Sequence, residues 1–86
     1  MNYVDGNALA GPLLELFRVD MTTAEGRCSG CRRVQLLARA VVYISQIGSV
    51  MRCRDCGIVQ AVLVETGGAI SLRLPGVALT RLPEDR

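Results

Sequence analysis

Cys28-Ser29-Gly30-Cys31 and Cys53-Arg54-Asp55-Cys56 decide the reading of this chain: two C-x2-C pairs separated by twenty-one residues. In such a turn two thiolates converge on one point, and the intervening backbone N–H groups are free to aim at the sulfurs. Two turns together make a tetrahedron of sulfur, the arrangement preferred by redox-silent Zn²⁺. The gap is about a residue longer than the usual 15–20, an excess that a slightly larger hairpin absorbs. There is no histidine to offer an alternative ligand. We therefore expect Cys28, Cys31, Cys53 and Cys56 to hold one zinc ion per chain in a closed structural site. Iron in the same cage, two disulfides and a C-x-x-C redox couple are the lesser alternatives.

Each pair has its own local signal. Gly57, directly after Cys56, suits a knuckle that needs a positive φ. The matching place after Cys31 holds Arg32, a less ideal choice.

Outward from the cysteines the pattern is β. Ala24 to Arg27 leads extended into the first knuckle and Val34 to Leu37 leaves it. Ala38 to Ile44 reads as a strand, Gln46-Ile47-Gly48 as a turn, and Ser49 to Arg52 as the return to the second knuckle. Ile58 to Val64 leaves it as a nearly continuous apolar run, suited to a central strand. Thr66-Gly67-Gly68 is a hairpin turn. Ile70, Leu72 and Leu74 then alternate with Ser71 and Arg73 until Pro75-Gly76 breaks the strand. Val77 to Leu82 reads as a short strand or helical turn, and Pro83 to Arg86 as a polar tail.

The first twenty residues differ. Leu9, Leu13, Leu16 and Phe17 recur at helical spacing, and Asp5 or Asn7 stands where a cap belongs. Gly11-Pro12 predicts two short helices, or one that restarts at Pro12. The expected organisation is a helical segment over 1–20, a metal-binding unit over 21–75 and an extension over 76–86.

The cysteine pairs, with Gly57 behind the second, resemble the zinc-ribbon (rubredoxin-like) group of four-cysteine domains over roughly residues 24 to 74. That resemblance implies a small mainly-β, metal-bound fold of antiparallel strands, with the cysteines as ligands and the domain as a scaffold. Members of the group bind nucleic acid or other proteins, or form parts of larger enzymes. A rubredoxin itself usually carries glycine after the first C-x-x-C and proline after the first cysteine of the second. Here those places hold Arg32 and Arg54, which argues against the iron-loaded electron carrier. The whole chain, including Val4-Asp5-Gly6-Asn7-Ala8-Leu9-Ala10-Gly11, is also similar to a family of small bacterial proteins of unassigned function.

Composition narrows the function classes. A chain of 86 residues makes one domain at most, and small scaffolds usually need a staple. The formal charge is +2 with neutral thiols; four thiolates and one Zn²⁺ add −2, leaving a metal-loaded chain near zero. Arg27, Arg32, Arg33, Arg52 and Arg54 surround the cysteines, either as a patch for nucleic-acid phosphates or as counter-charge for the thiolates. Half the residues are hydrophobic and the mean hydropathy is +0.32. An apolar patch drawn from Leu9, Leu13, Leu14, Leu16, Phe17, Val77, Leu79 and Leu82 is therefore expected to meet a protein partner or a second copy. With every cysteine committed and no histidine, the commonest nucleophile–base pair is missing, and no enzyme is expected. Residues 34–51 fall short of a membrane span, and Met1 to Asp5 lacks the basic start of a signal peptide. The expectation is a reducing, cytoplasmic location and a role as an interaction module or accessory subunit, with nucleic-acid binding or electron transfer as alternatives.

Overall fold

The computed structural model describes residues 3–18 and 20–83. It is a mainly-β antiparallel structure with one short helix and two sheets. Strands β1 (Tyr3–Asp5), β4 (Val41–Ile44), β5 (Gly48–Arg52), β6 (Val59–Thr66) and β7 (Ala69–Arg73) form a five-stranded sheet in the order β1-β4-β5-β6-β7. Strands β2 (Glu25–Cys28), β3 (Val34–Leu36) and β8 (Val77–Arg81) form a second sheet in the order β3-β2-β8.

Alternation sets the inner face of the larger sheet. Val42, Met51 and Ala61 lie side by side across β4, β5 and β6, and Leu63 follows two residues along β6. All four are buried, Val42 completely. Helix α1 (Ala10–Phe17) supplies Leu13 to this core, the preceding 3-10 turn supplies Leu9, and Met21 and Ala24 come from the approach to β2. Leu79 of β8 packs against the same core, and β8 pairs along β2 to bring Val77 opposite Cys28.

The helical reading of the N-terminal segment holds, with one addition. A 3-10 turn over Gly6–Leu9 precedes α1, and Asp5 caps that turn by accepting from the Asn7 N–H at 3.0 Å. Pro12 is the third residue of α1, where its missing N–H costs nothing. Arg18 closes the helix in the left-handed conformation, its N–H on the Leu14 carbonyl. The addition is β1, which pairs with β4; three residues are too few to show a period.

Ala38 to Ile44 is not one strand. Leu37–Arg39 forms a 3-10 turn and β4 begins at Val41. The chain here leaves the smaller sheet for the larger one, and the turn buries Leu37 while its N–H bonds the Ala24 carbonyl. The β4–β5 turn is one residue shorter than expected, because Gly48 already belongs to β5. A Cβ there would lie 2.1 Å from the Leu63 carbonyl oxygen, so the close approach of β6 needs glycine. Gly67 and Gly68 do turn β6 into β7, at φ of 54° and 79°. Of Val77 to Leu82, read as a strand or helical turn, Val77–Arg81 forms strand β8. The expected polar tail lies outside the described residues from position 84 on.

Candidate metal centre

Each cysteine pair sits at the end of a hairpin, the first between β2 and β3 and the second between β5 and β6. The two knuckles repeat one hydrogen-bond pattern. The Cys28 N–H bonds the Arg33 carbonyl and the Cys53 N–H bonds the Ile58 carbonyl, both at 2.9 Å. The Arg32 N–H returns to the Cys28 carbonyl at 2.9 Å and the Gly57 N–H to the Cys53 carbonyl at 3.0 Å. Gly30 and Asp55 direct their N–H groups at the Cys28 and Cys53 sulfurs, each at 3.4 Å. Arg33 and Ile58 do the same for Cys31 and Cys56. Every sulfur therefore receives the N–H two residues ahead of it, which stabilises thiolate over thiol.

Tight closure of each knuckle forces the residue after its second cysteine to positive φ: 81° at Gly57 and 66° at Arg32. Left-handed backbone is free to glycine and costs other residues about 1–2 kcal/mol. Part of that returns as glycine's greater freedom in the unfolded chain. Arg32→Gly is accordingly expected to raise stability by about 0.5–1 kcal/mol, read as a higher denaturation midpoint of the metal-loaded protein. A lower midpoint would show that the Arg32 side chain contributes more than its backbone costs.

All four Sγ atoms lie within 4.8 Å of one another. Cys28 and Cys56 approach to 3.5 Å, Cys31 and Cys53 to 3.7 Å. A tetrahedron with a Zn–S bond of about 2.3 Å has an edge of about 3.8 Å, so the sulfurs already stand at the spacing of a metal cage. All four are free thiols, and these separations are far beyond the roughly 2.05 Å of a disulfide. The cluster is buried on one side, at Cys28 and Cys53, and reaches the surface at Cys56.

Electrostatics agree with the geometry. Burial opposes ionisation of Cys28, but the Cys31 and Gly30 N–H groups, the Gln60 side chain and the Cys56 thiol outweigh it and lower the group to about 6. The Arg33 N–H favours a Cys31 thiolate, yet burial and the three other cysteines push it up to about 11. Cys56 is raised in the same way, against the pull of the Ile58 N–H, by burial and by Cys28 and Cys53. One thiolate thus forms readily and repels the next; a divalent cation at the centre removes that repulsion.

The arginines around the cysteines divide. Arg52 donates to the Gly57 carbonyl at 2.9 Å, bracing the second knuckle, and Arg54 donates to the Arg39 carbonyl at 2.7 Å. Asp55 accepts from the Gln35 amide and lies 4.0 Å from Arg33. Arg27 and Arg32 border an open hollow beside Cys28 and Ser29. Sequence reading passed over Gln60 and Gly76. Gln60 is the only polar residue in the run Ile58 to Val64, which was its one available signal. Gly76 donates to the Gln60 carbonyl and accepts from the Ser29 N–H, tying the first knuckle to β6.

Fold and site together define a small antiparallel β protein with a four-cysteine cluster able to hold a metal ion. The chain belongs to a family described as Family of unknown function (DUF6510), whose model it matches over residues 1–85. No curated protein and no solved structure matches it. Among the described residues no helix is long and apolar enough to cross a membrane.

Proposed function

We propose that this protein is a zinc ribbon whose four cysteines bind one Zn²⁺ as a structural ion, and that it acts as a protein-interaction module or small accessory subunit. The observation that carries this reading is the convergence of four free sulfurs within 4.8 Å from two matched knuckles. Four thiolates fill a tetrahedral ion and leave no position for water or substrate, so the metal holds the hairpins rather than performing chemistry. Arg27 and Arg32 supply positive charge beside a site that carries −2 when loaded. That counter-charge role fits better than a phosphate-binding track, because Arg33, Arg52 and Arg54 face acceptors within the chain. A soluble cytoplasmic protein suits reduced thiols.

One observation favours a second reading. Cys56 is exposed, and a sulfur at the surface gives an iron-loaded ribbon a route for electrons. Metal content and visible spectrum of the purified protein separate the two. One zinc per chain without colour is expected; iron with thiolate charge-transfer bands would replace the structural reading with an electron carrier, and absence of both metals would end both.

A further inference from the structure

We propose that Cys56 is an oxidation site for hydroperoxides, with Cys28 as its resolving partner, so that oxidation joins the two knuckles by a disulfide and releases the metal. This deepens the structural-zinc reading and rests on it.

The apolar patch expected around α1 is reduced, because Leu9, Leu13 and Val77 are buried; the exposed reactive chemistry lies at the knuckles instead. Exposure separates the four cysteines. Cys28 and Cys53 keep only 1% and 5% of their surface in solvent, Cys31 is half-buried and Cys56 is exposed. The turn around Cys56 is open throughout, since Arg54, Asp55 and Gly57 are exposed with it. Across the cage stands Gly30, itself exposed. A Cβ there would lie 3.0 Å from the Cys56 sulfur, so glycine leaves that flank of the sulfur bare. The polar side chains nearby are engaged elsewhere: Arg54 donates to the Arg39 carbonyl, and Asp55 accepts from the Gln35 amide. A thiolate that binds a metal through one lone pair keeps others for attack, and among thiolates oxidation follows access.

Distance sets the partner. Cys56 lies 3.5 Å from Cys28 and Cys31 lies 3.7 Å from Cys53, so each of these contacts joins one knuckle to the other. Closing the first gap to the roughly 2.05 Å of a disulfide is a shift of about 1.5 Å. Cys28 is fixed, as the last residue of β2, opposite Val77 and with its N–H on the Arg33 carbonyl. Cys56 sits in the turn between β5 and β6 and makes the move.

The step balances with hydrogen peroxide as the oxidant. The Cys56 thiolate attacks one peroxide oxygen; an S–O bond forms, the O–O bond breaks and hydroxide leaves with the electron pair. The Cys28 thiolate then attacks the resulting sulfenic sulfur; the S–S bond forms, the S–O bond breaks and a second hydroxide leaves. Two thiolates give up two electrons and the peroxide takes them. Cys31 and Cys53 alone remain as thiolates, half of the four ligands a structural zinc needs, and a competing chelator removes the ion.

Equimolar hydrogen peroxide added to the zinc-loaded chain tests this, beside a coloured chelator that leaves the reduced chain loaded. Peptide mapping locates the first disulfide, and dimedone traps the sulfenic acid. Zinc is expected to appear in step with a Cys28–Cys56 disulfide, with dimedone on Cys56. Dithiothreitol and fresh zinc should then restore the loaded chain. Any other first disulfide, dimedone on a different cysteine, or zinc retained under excess peroxide overturns the inference alone. A chain that carries no zinc before peroxide is added would overturn the proposed function instead.

Discussion

Replacing Cys53 by serine is expected to strip the metal from the protein and unfold it. Cys53 is buried at the end of the central hairpin, with its Sγ 3.7 Å from Cys31 and its N–H on Ile58. Serine supplies a neutral, hard oxygen in place of a soft thiolate, and three sulfurs hold zinc far less tightly. Binding of a structural zinc contributes an apparent 10–16 kcal/mol to folding, more than the 5–15 kcal/mol net stability of most domains. An 86-residue chain has little core to fall back on. Zinc per chain should fall from one to near zero, and the β signal in far-ultraviolet circular dichroism should be lost with it. Chelation of the unaltered protein should give the same spectrum. A folded Cys53→Ser variant that kept stoichiometric zinc would remove this cysteine from the site.

Gly76→Ala is expected to cost about 3 kcal/mol, at the upper end of overpacking penalties, although it adds a single methyl group. The new Cβ would lie 2.0 Å from the Val59 carbonyl oxygen and 3.1 Å from the Gln60 Cα. Both neighbours are backbone, so no side chain can rotate aside. Relief requires Gly76 to move away from β6. Its N–H then leaves the Gln60 carbonyl at 3.2 Å and its carbonyl leaves the Ser29 N–H at 2.9 Å. The first knuckle loses its tie to β6 and Gln60 loses its setting against Cys28, so zinc affinity should fall about 10–100-fold, as when a supporting hydrogen bond behind a ligand is removed. Denaturant midpoints and a competition titration with a coloured chelator measure the two effects. Gly11→Ala is the control: a Cβ there meets nothing within 4 Å, and stability should hold or rise by about 0.5–1 kcal/mol. Equal behaviour of the two variants would show that the β6 contact is not restrictive.

Most of the site was legible from residues close together in the chain. The cluster of four cysteines follows from the two C-x2-C spacings, and the need for positive φ after Cys56 follows from Gly57. The same demand after Cys31 was hidden by Arg32, because an arginine held at φ 66° carries no compositional mark. Both knuckles fall at hairpin ends, as the flanking apolar runs implied. Polarity gave a weaker guide to the arginines. Five sit near the cysteines in sequence, but only coordinates distinguish Arg52 and Arg54, turned onto backbone carbonyls, from Arg27 and Arg32, which border open space.

By itself the sequence determined the elements whose causes are local: the cysteine turns, the Gly67-Gly68 hairpin, the apolar run of β6 and the alternating strand β7. Tertiary structure alone decided how those elements were shared out. It sent the chain from β3 into a 3-10 turn and across to the other sheet at β4. It laid β1 beside β4 and returned β8 to β2, so that Val77 lies opposite Cys28. It also exposed one face of the larger sheet while burying the other. The physical reason is range. A turn is fixed by the conformational freedom of two or three neighbouring residues, whereas a strand of three or five residues has no partner of its own. It pairs wherever the core, closed by segments some fifty residues away, leaves an open edge.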